Sequence, residues 1–219
     1  LVERMSLFIE LFGKTRKIAG SRNRYVYSML KNIFLFRPDL VEDIELFSGL
    51  CRDLESIDPY YKEEAYDNLG KLLAACPRLA WKLEELGEIA IAAQRHTRYI
   101  YKVLGDIIGS RPDLADKIEI FIGPFHRIVE VMQDDVDINA FYNAIVNLIK
   151  IRPDLADKPD NFCLLAEKFK ENTLEAYGIL LNMTREGLLA GDNFDQVVQE
   201  LLAEGDKALQ RLRKRHPVA

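Results

Sequence analysis

Cysteine is scarce in this chain. There are three among 219 residues, Cys51, Cys76 and Cys163, far apart and odd in number. That excludes a disulfide framework, offers no paired metal-ligand spacing, and matches the usage of a reducing compartment, so a cytoplasmic location is expected. Catalytic signatures are missing too: no HExxH, no CxxC, no nucleophile elbow and no Gly-x-Gly phosphate run. The expectation is a chain that is not an enzyme and takes no cofactor and no metal. No apolar run approaches the roughly 20 residues of a membrane span, so no membrane partner is expected. Arg4 and Glu10 interrupt the first apolar stretch, which argues against a signal peptide. Position 1 is leucine rather than an initiator methionine, and the chain reads as a piece of something longer. An excess of positive charge is also lacking. The net charge of −5 argues against a protein that binds nucleic acid over its whole surface. Strand-like alternation is absent throughout.

What is present is a repeat. The hexapeptide RPDLAD occurs at 111–116 and again at 152–157. Anchored on its proline, four segments superpose: 36–47, 76–87, 110–121 and 151–162, with Pro38, Pro77, Pro112 and Pro153 in register. Two residues on stands Leu40, Leu79, Leu114 or Leu155. Eleven residues before stands Tyr27, Tyr66, Tyr101 or Tyr142, and nine after stands Phe47, Leu86, Phe121 or Phe162. Tyr177, Leu180 and Met183 begin a fifth copy with Leu188 in the proline position, and residues 1–8 match 40–47. Units therefore run at about 1–39, 40–78, 79–113, 114–154 and 155–189, with 190–219 as a cap, all in one domain. A period of roughly 40 residues fits helical repeat arrays. The histidines, His96, His126 and His216, fall at non-equivalent positions of this frame.

Each unit predicts two helices, the first after the leucine and the second carrying the tyrosine. Proline ends the second helix, because it lacks a donor and disfavours helix in the residue before it. The aspartate that follows is expected to cap the next helix. Where Arg78 replaces that aspartate and Cys76 the arginine, the third unit should begin less crisply. Gly123-Pro124 should kink the first helix of the fourth unit, and Pro159 should start that of the fifth unit late. Gly20-Ser21, Asp58-Pro59 and Asp134-Asp135 punctuate the paired helices. The tyrosine column shares a face with the leucines three residues on and reads as core.

Residues 61–74 and 98–110, with Leu69-Gly70-Lys71 and Leu104-Gly105-Asp106-Ile107, resemble the second helix of HEAT repeats. Pro124 answers to the HEAT helix-one proline, and Asp137 and Arg98 stand near its inter-helix aspartate and early arginine. The resemblance implies an all-α, right-handed α-solenoid of about five two-helix HEAT/armadillo-like repeats with a C-terminal capping helix. Such arrays line their concave surface with second helices.

Along each second helix, polar positions recur every fourth residue upstream of the proline, a spacing that keeps them on one face. They are Arg24, Ser28 and Asn32; Glu63, Asp67 and Lys71; Arg98, Lys102 and Asp106; Asn139, Asn143 and Asn147; and Asn182 in the fifth copy. If second helices line a groove, this stripe binds a protein or peptide, with asparagines able to donate to and accept from a peptide backbone. The bland alternative is a solvated face. A second candidate is basic. Residues 11–38 carry seven cations and no acid, and Lys14, Arg16, Lys17, Arg22 and Arg24 surround the first inter-helix turn. That patch would suit nucleic acid or a phosphorylated ligand. The first unit holds 8 basic and 3 acidic residues, net +5, whereas the second holds 4 and 9, net −5. A third possibility is a purely structural segment of a larger array. Residues 194–216 form an amphipathic stretch suited to a polar-faced cap, ending in Arg211, Arg213, Lys214 and Arg215.

Overall fold

The computed structural model describes residues 2–37, 44–57, 60–132, 138–191 and 193–216. Among these the chain is all-helical, without a strand. It packs as two compact units, Leu1–Gly123 and Pro124–Ala219.

The first unit contains α1 (Val2–Ala19), α2 (Asn23–Phe36), α3 (Ile44–Ser56), α4 (Lys62–Ala75), α5 (Leu83–Ala93) and α6 (Thr97–Ser110). Two rows run through it. In one, α1 packs on α3 and α3 on α5; in the other, α2 packs on α4 and α4 on α6. Glycine stands at matched places along the second row, each facing the helix before it. A Cβ on Gly70 would meet Met29 of α2 at 3.6 Å, and one on Gly105 would meet Leu72 of α4 at 3.7 Å.

The second unit is entered by α7 (Ile122–Val131), which spans the boundary. It continues with α8 (Ile138–Ile151), α9 (Pro159–Phe169), α10 (Thr173–Arg185), α11 (Asn193–Glu204) and α12 (Asp206–Arg215). Here α8 packs on α10, α9 on α11, and α12 on both α10 and α11.

The tyrosines behave as core with one departure. Tyr66, Tyr101, Tyr142 and Tyr177 are at most 2% exposed, whereas Tyr27 is 50% exposed. Three of them donate their hydroxyl to the carbonyl fifteen residues earlier: Tyr66 to Cys51 at 3.2 Å, Tyr101 to Leu86 at 2.8 Å, and Tyr177 to Phe162. A buried phenol needs such a partner, and each bond ties a second helix to the first helix before it. A second tie recurs four residues before the tyrosine. Thr97 donates to the Ala90 carbonyl, Thr173 to Ala166, and Lys62 through its ammonium to Glu55, each seven residues back. The turn between paired helices is also reused. Gly20, Gln94 and Lys170, each seven residues before its tyrosine, have φ of 57°, 47° and 44°.

The proline corners depart from expectation in how they are held. No side-chain cap bond forms after Pro112 or Pro153. Asp113 instead accepts two bonds from the Arg111 guanidinium, at 2.8 and 2.7 Å, and Asp154 two from Arg152, at 2.8 and 2.6 Å. A bidentate fork to a guanidinium outcompetes a single backbone N–H for a carboxylate. Proline then starts a 3-10 turn in each case. The third sequence repeat begins the same way, with a 3-10 turn over Pro77–Trp81 before α5, so losing the aspartate leaves the corner intact. Arg78 turns outward and pairs with Asp116. Gly123-Pro124 makes no kink. The preceding 3-10 segment, Pro112–Phe121, breaks at Lys117, and α7 starts afresh with Pro124 in its first turn, where a missing donor costs nothing. Pro159 opens α9 as expected. The single capping helix expected over 194–216 is two helices, because Gly205, at φ 56°, ends α11. The corner at Pro38, Asp39 and Leu40, with Asp58-Pro59, Asp134-Asp135 and Asp137, lies outside the described residues.

Candidate functional site

The clearest concavity on the second-helix row lies between α2 and α4. Tyr25, Ser28 and Asn32 line it from one side and Tyr66, Asp67, Gly70, Lys71 and Ala74 from the other, enclosing about 140 Å³. Four of these, Ser28, Asn32, Asp67 and Lys71, belong to the stripe read from the sequence. The i, i+4 spacing within each helix brings Ser28 beside Asn32 and Asp67 beside Lys71. Packing of α2 on α4 then sets the two pairs across one cleft.

The pairs differ in what they leave available. Asn32 donates one amide hydrogen to the Gly70 carbonyl at 3.2 Å, which spans thirty-eight residues and pins α2 to α4. Ser28 is exposed. The Lys71 ammonium stands 2.6 Å from the Asp67 carboxylate, and the hydrogen bond to Asp67 raises the lysine above its usual range. The cleft therefore offers a hydroxyl, a carboxamide and a solvent-exposed ion pair over a floor of glycine and tyrosine.

The rest of the stripe in this unit is more engaged than a free face would be. The Arg24 guanidinium stacks 4.5 Å from the Tyr25 ring, hydrogen bonds its hydroxyl and lies 3.9 Å from Glu63. Arg98 is held at 2.9 Å by Glu64 and stacks on Tyr61 and Tyr99, each at 4.3 Å. Lys102 is exposed and Asp106 half-buried on α6. Asn68, which sequence reasoning passed over, makes a tie like that of Asn32, donating to the Arg98 carbonyl at 2.8 Å. In the second unit, Asn139, Asn143 and Asn147 stand exposed along α8, with Asn143 3.5 Å from Asn139, and Asn182 is half-buried on α10.

The basic candidate is divided. Lys14, Arg16 and Lys17 are exposed at the end of α1, with Lys14 3.4 Å from Glu10. Arg22 turns inward to Glu55 at 3.3 Å, where Lys62 also pairs at 3.1 Å, and Arg24 is held as above. Two of the five cations thus already neutralise carboxylates on later helices.

A second concavity, of about 340 Å³, lies on the first-helix row. Glu45, Leu46, Gly49, Leu50 and Asp53 of α3 and Glu84 of α5 line it. Burial raises the Asp53 carboxyl above the usual carboxylate range. Gly87 makes room for it: a Cβ there would fall 2.3 Å from the Asp53 oxygen. Sequence reasoning missed this feature, since no motif marks it and the glycine reads as ordinary packing.

Burial pushes the thiols of Cys51 and Cys163 up to about 12, which suits inert core residues rather than nucleophiles. Among the described residues no group of three or more His, Cys, Asp and Glu is placed to hold a metal ion. No helix of the described residues is long and apolar enough to cross a membrane. No family model, curated protein or solved structure matches the chain.

Proposed function

We propose that the chain is a right-handed HEAT/armadillo-like α-solenoid of about five two-helix repeats, and that it works as a non-enzymatic protein- or peptide-binding scaffold of the cytoplasm. The repeated tyrosine ties, the reused left-handed turn and the row-on-row packing inside each unit support the array. The cleft between α2 and α4 carries the functional reading, because it gathers Ser28, Asn32, Asp67 and Lys71 from two successive second helices. A shallow polar cleft with one ion pair suits an extended segment held by interchangeable hydrogen bonds rather than by deep apolar anchors. The partner segment lies across α2 and α4 and continues over Arg98, Lys102 and Asp106 of α6.

A displayed library of random linear peptides, selected on the intact chain, tests this. Peptides should be recovered that lose binding to a Ser28→Arg variant and to an Asp67→Ala, Lys71→Ala variant, with the melting temperature of each variant within about 2 °C of the parent. Recovery of peptides that bind all three chains equally would refute the cleft as the site.

A further inference from the structure

The outer face of α1 and α2 breaks the rules that the other copies follow. Ile9 stands where the later copies place Ser48, Gly87, Ile122 and Cys163. Ser48 and Cys163 are at most 2% exposed, Gly87 is buried and Ile122 half-buried, yet Ile9 is 63% exposed. Phe8 is half-buried where Phe47, Leu86, Phe121 and Phe162 are buried. Tyr27 is 50% exposed against at most 2% for its four counterparts. These side chains form one apolar surface. Phe8 meets Phe34 edge-on at 5.0 Å and Tyr27 at 6.1 Å, and Phe12 meets Tyr27 at 5.8 Å.

This face is not shaped for another copy of the same repeat. Lys31 occupies the position of Gly70, Gly105, Val146 and Leu181, none of which carries a charge, and the two glycines face the preceding helix of the row, Gly70 towards Met29 and Gly105 towards Leu72. A helix packed there as α2 packs on α4 would bury the Lys31 ammonium without a partner. Lys31 lies one turn from Tyr27 on α2, and Arg16 lies two turns from Ile9 on α1. Both are exposed, and neither has an ion-pair partner among the described residues. What covers such a surface must supply apolar side chains to Ile9, Phe8 and Tyr27 and carboxylates to Arg16 and Lys31.

We propose that the outer face of α1 and α2 is a docking surface for an acidic amphipathic helix of another chain. Its apolar stripe seats on Ile9, Phe8 and Tyr27, and its glutamates or aspartates meet Arg16 and Lys31. The site is separate from the cleft between α2 and α4.

The test uses the intact chain and two labelled synthetic peptides, each long enough for about five helical turns. Both carry leucine and phenylalanine along one helical face; one has glutamate on the polar face and the other lysine. Fluorescence anisotropy should give at least about tenfold tighter binding of the glutamate peptide, weakening with added salt. Lys31→Glu, Arg16→Glu and Ile9→Ser should each cut that binding by about fivefold or more while leaving the circular dichroism and melting temperature unchanged. Ser28→Arg should leave it intact, so failure here and failure of the cleft are told apart. Equal binding of the two peptides, no binding at about 100 µM, or indifference to Lys31→Glu would overturn the proposal. A concentration-dependent dimer abolished by Ile9→Ser would overturn it in favour of a second copy. Oligonucleotide binding lost with Lys31→Glu would overturn it in favour of nucleic acid.

Discussion

Lys170 stands in a backbone conformation that its side chain opposes. It closes α9 at φ 44° and ψ -107°, seven residues before Tyr177. Gly20 closes α1 in the same turn, at φ 57°. A non-glycine residue at positive φ costs about 1–2 kcal/mol through contact of Cβ with its own backbone. Glycine removes that cost but is more flexible when unfolded, by about 0.5–1 kcal/mol. Lys170 is exposed, so little else is lost with its side chain. Lys170→Gly should therefore stabilise the protein by about 0.5–1.5 kcal/mol, a rise of about 1–5 °C in melting temperature for a chain of this size. Gln94→Gly should gain less, because it also removes a 2.7 Å bond from the Gln94 amide to the Ile91 carbonyl. Gly20→Gln should lose about 1–2 kcal/mol, since φ alone opposes it: nothing lies within 4 Å of where its Cβ would be. Differential scanning calorimetry of the three variants decides the matter. A Lys170→Gly variant that melts below the parent, by the amount expected for glycine placed in an ordinary turn, would refute the claim that this turn is strained.

Other consequences are quickly tested. Tyr101→Phe should cost about 1–1.5 kcal/mol, because it removes a fully buried 2.8 Å bond to the Leu86 carbonyl, whereas Tyr27→Phe should change chemical denaturation by less than about 0.5 kcal/mol. Ellman's reagent should modify Cys76 in the native protein and reach the buried Cys51 and Cys163 only on unfolding. The Arg111 and Arg152 forks hold Asp113 and Asp154 below the usual carboxylate range. The folded state therefore binds fewer protons than the unfolded state near the carboxylate pKa. The contribution is present above about pH 4 and disappears as pH falls through the depressed folded values. A double Asp113→Asn, Asp154→Asn variant should lose less melting temperature than the parent between pH 5 and pH 3, and an identical pH profile would count against the forks.

Much of the local structure was legible because it rests on short-range chemistry. Proline at 77, 112 and 153 ends a helix wherever it falls, and tyrosine at a fixed distance before it marks a buried stripe. What the sequence misread was competition between partners. Aspartate after proline is an ordinary cap signal, but an arginine two residues earlier offers two donors at once, and the carboxylate goes there. The inward turn of Arg22 was hidden for a similar reason. Its charge belongs to a basic run in sequence, while Glu55, thirty-three residues on, claims it in space. Gln94 and Lys170 carry no glycine-like signal at all, so only Gly20 hinted at the left-handed turn.

The polar stripe illustrates the limit most directly. Spacing alone placed Ser28, Asn32, Asp67 and Lys71 on one face, and all four line one cleft. Spacing could not tell that Asn32 already serves the Gly70 carbonyl. That bond has a mechanical consequence. The amide of Asn32 ties α2 to the Gly70 carbonyl of α4, so the walls of the cleft are held together at this point. A segment binding there meets a preorganised surface, and less of its binding energy is lost to ordering side chains. On the proposed reading, Asn32 acts through the position of α4 as well as through its own remaining carboxamide capacity. Asn32→Asp, which keeps the shape and removes the donor, should weaken peptide capture. Gly70→Ala adds only a methyl in ordinary contact with Met29 and should leave capture unchanged while stabilising α4 by about 0.5–1 kcal/mol. If Asn32→Asp and Gly70→Ala affected capture equally, the cleft would owe its shape to helix packing alone and not to the asparagine tie.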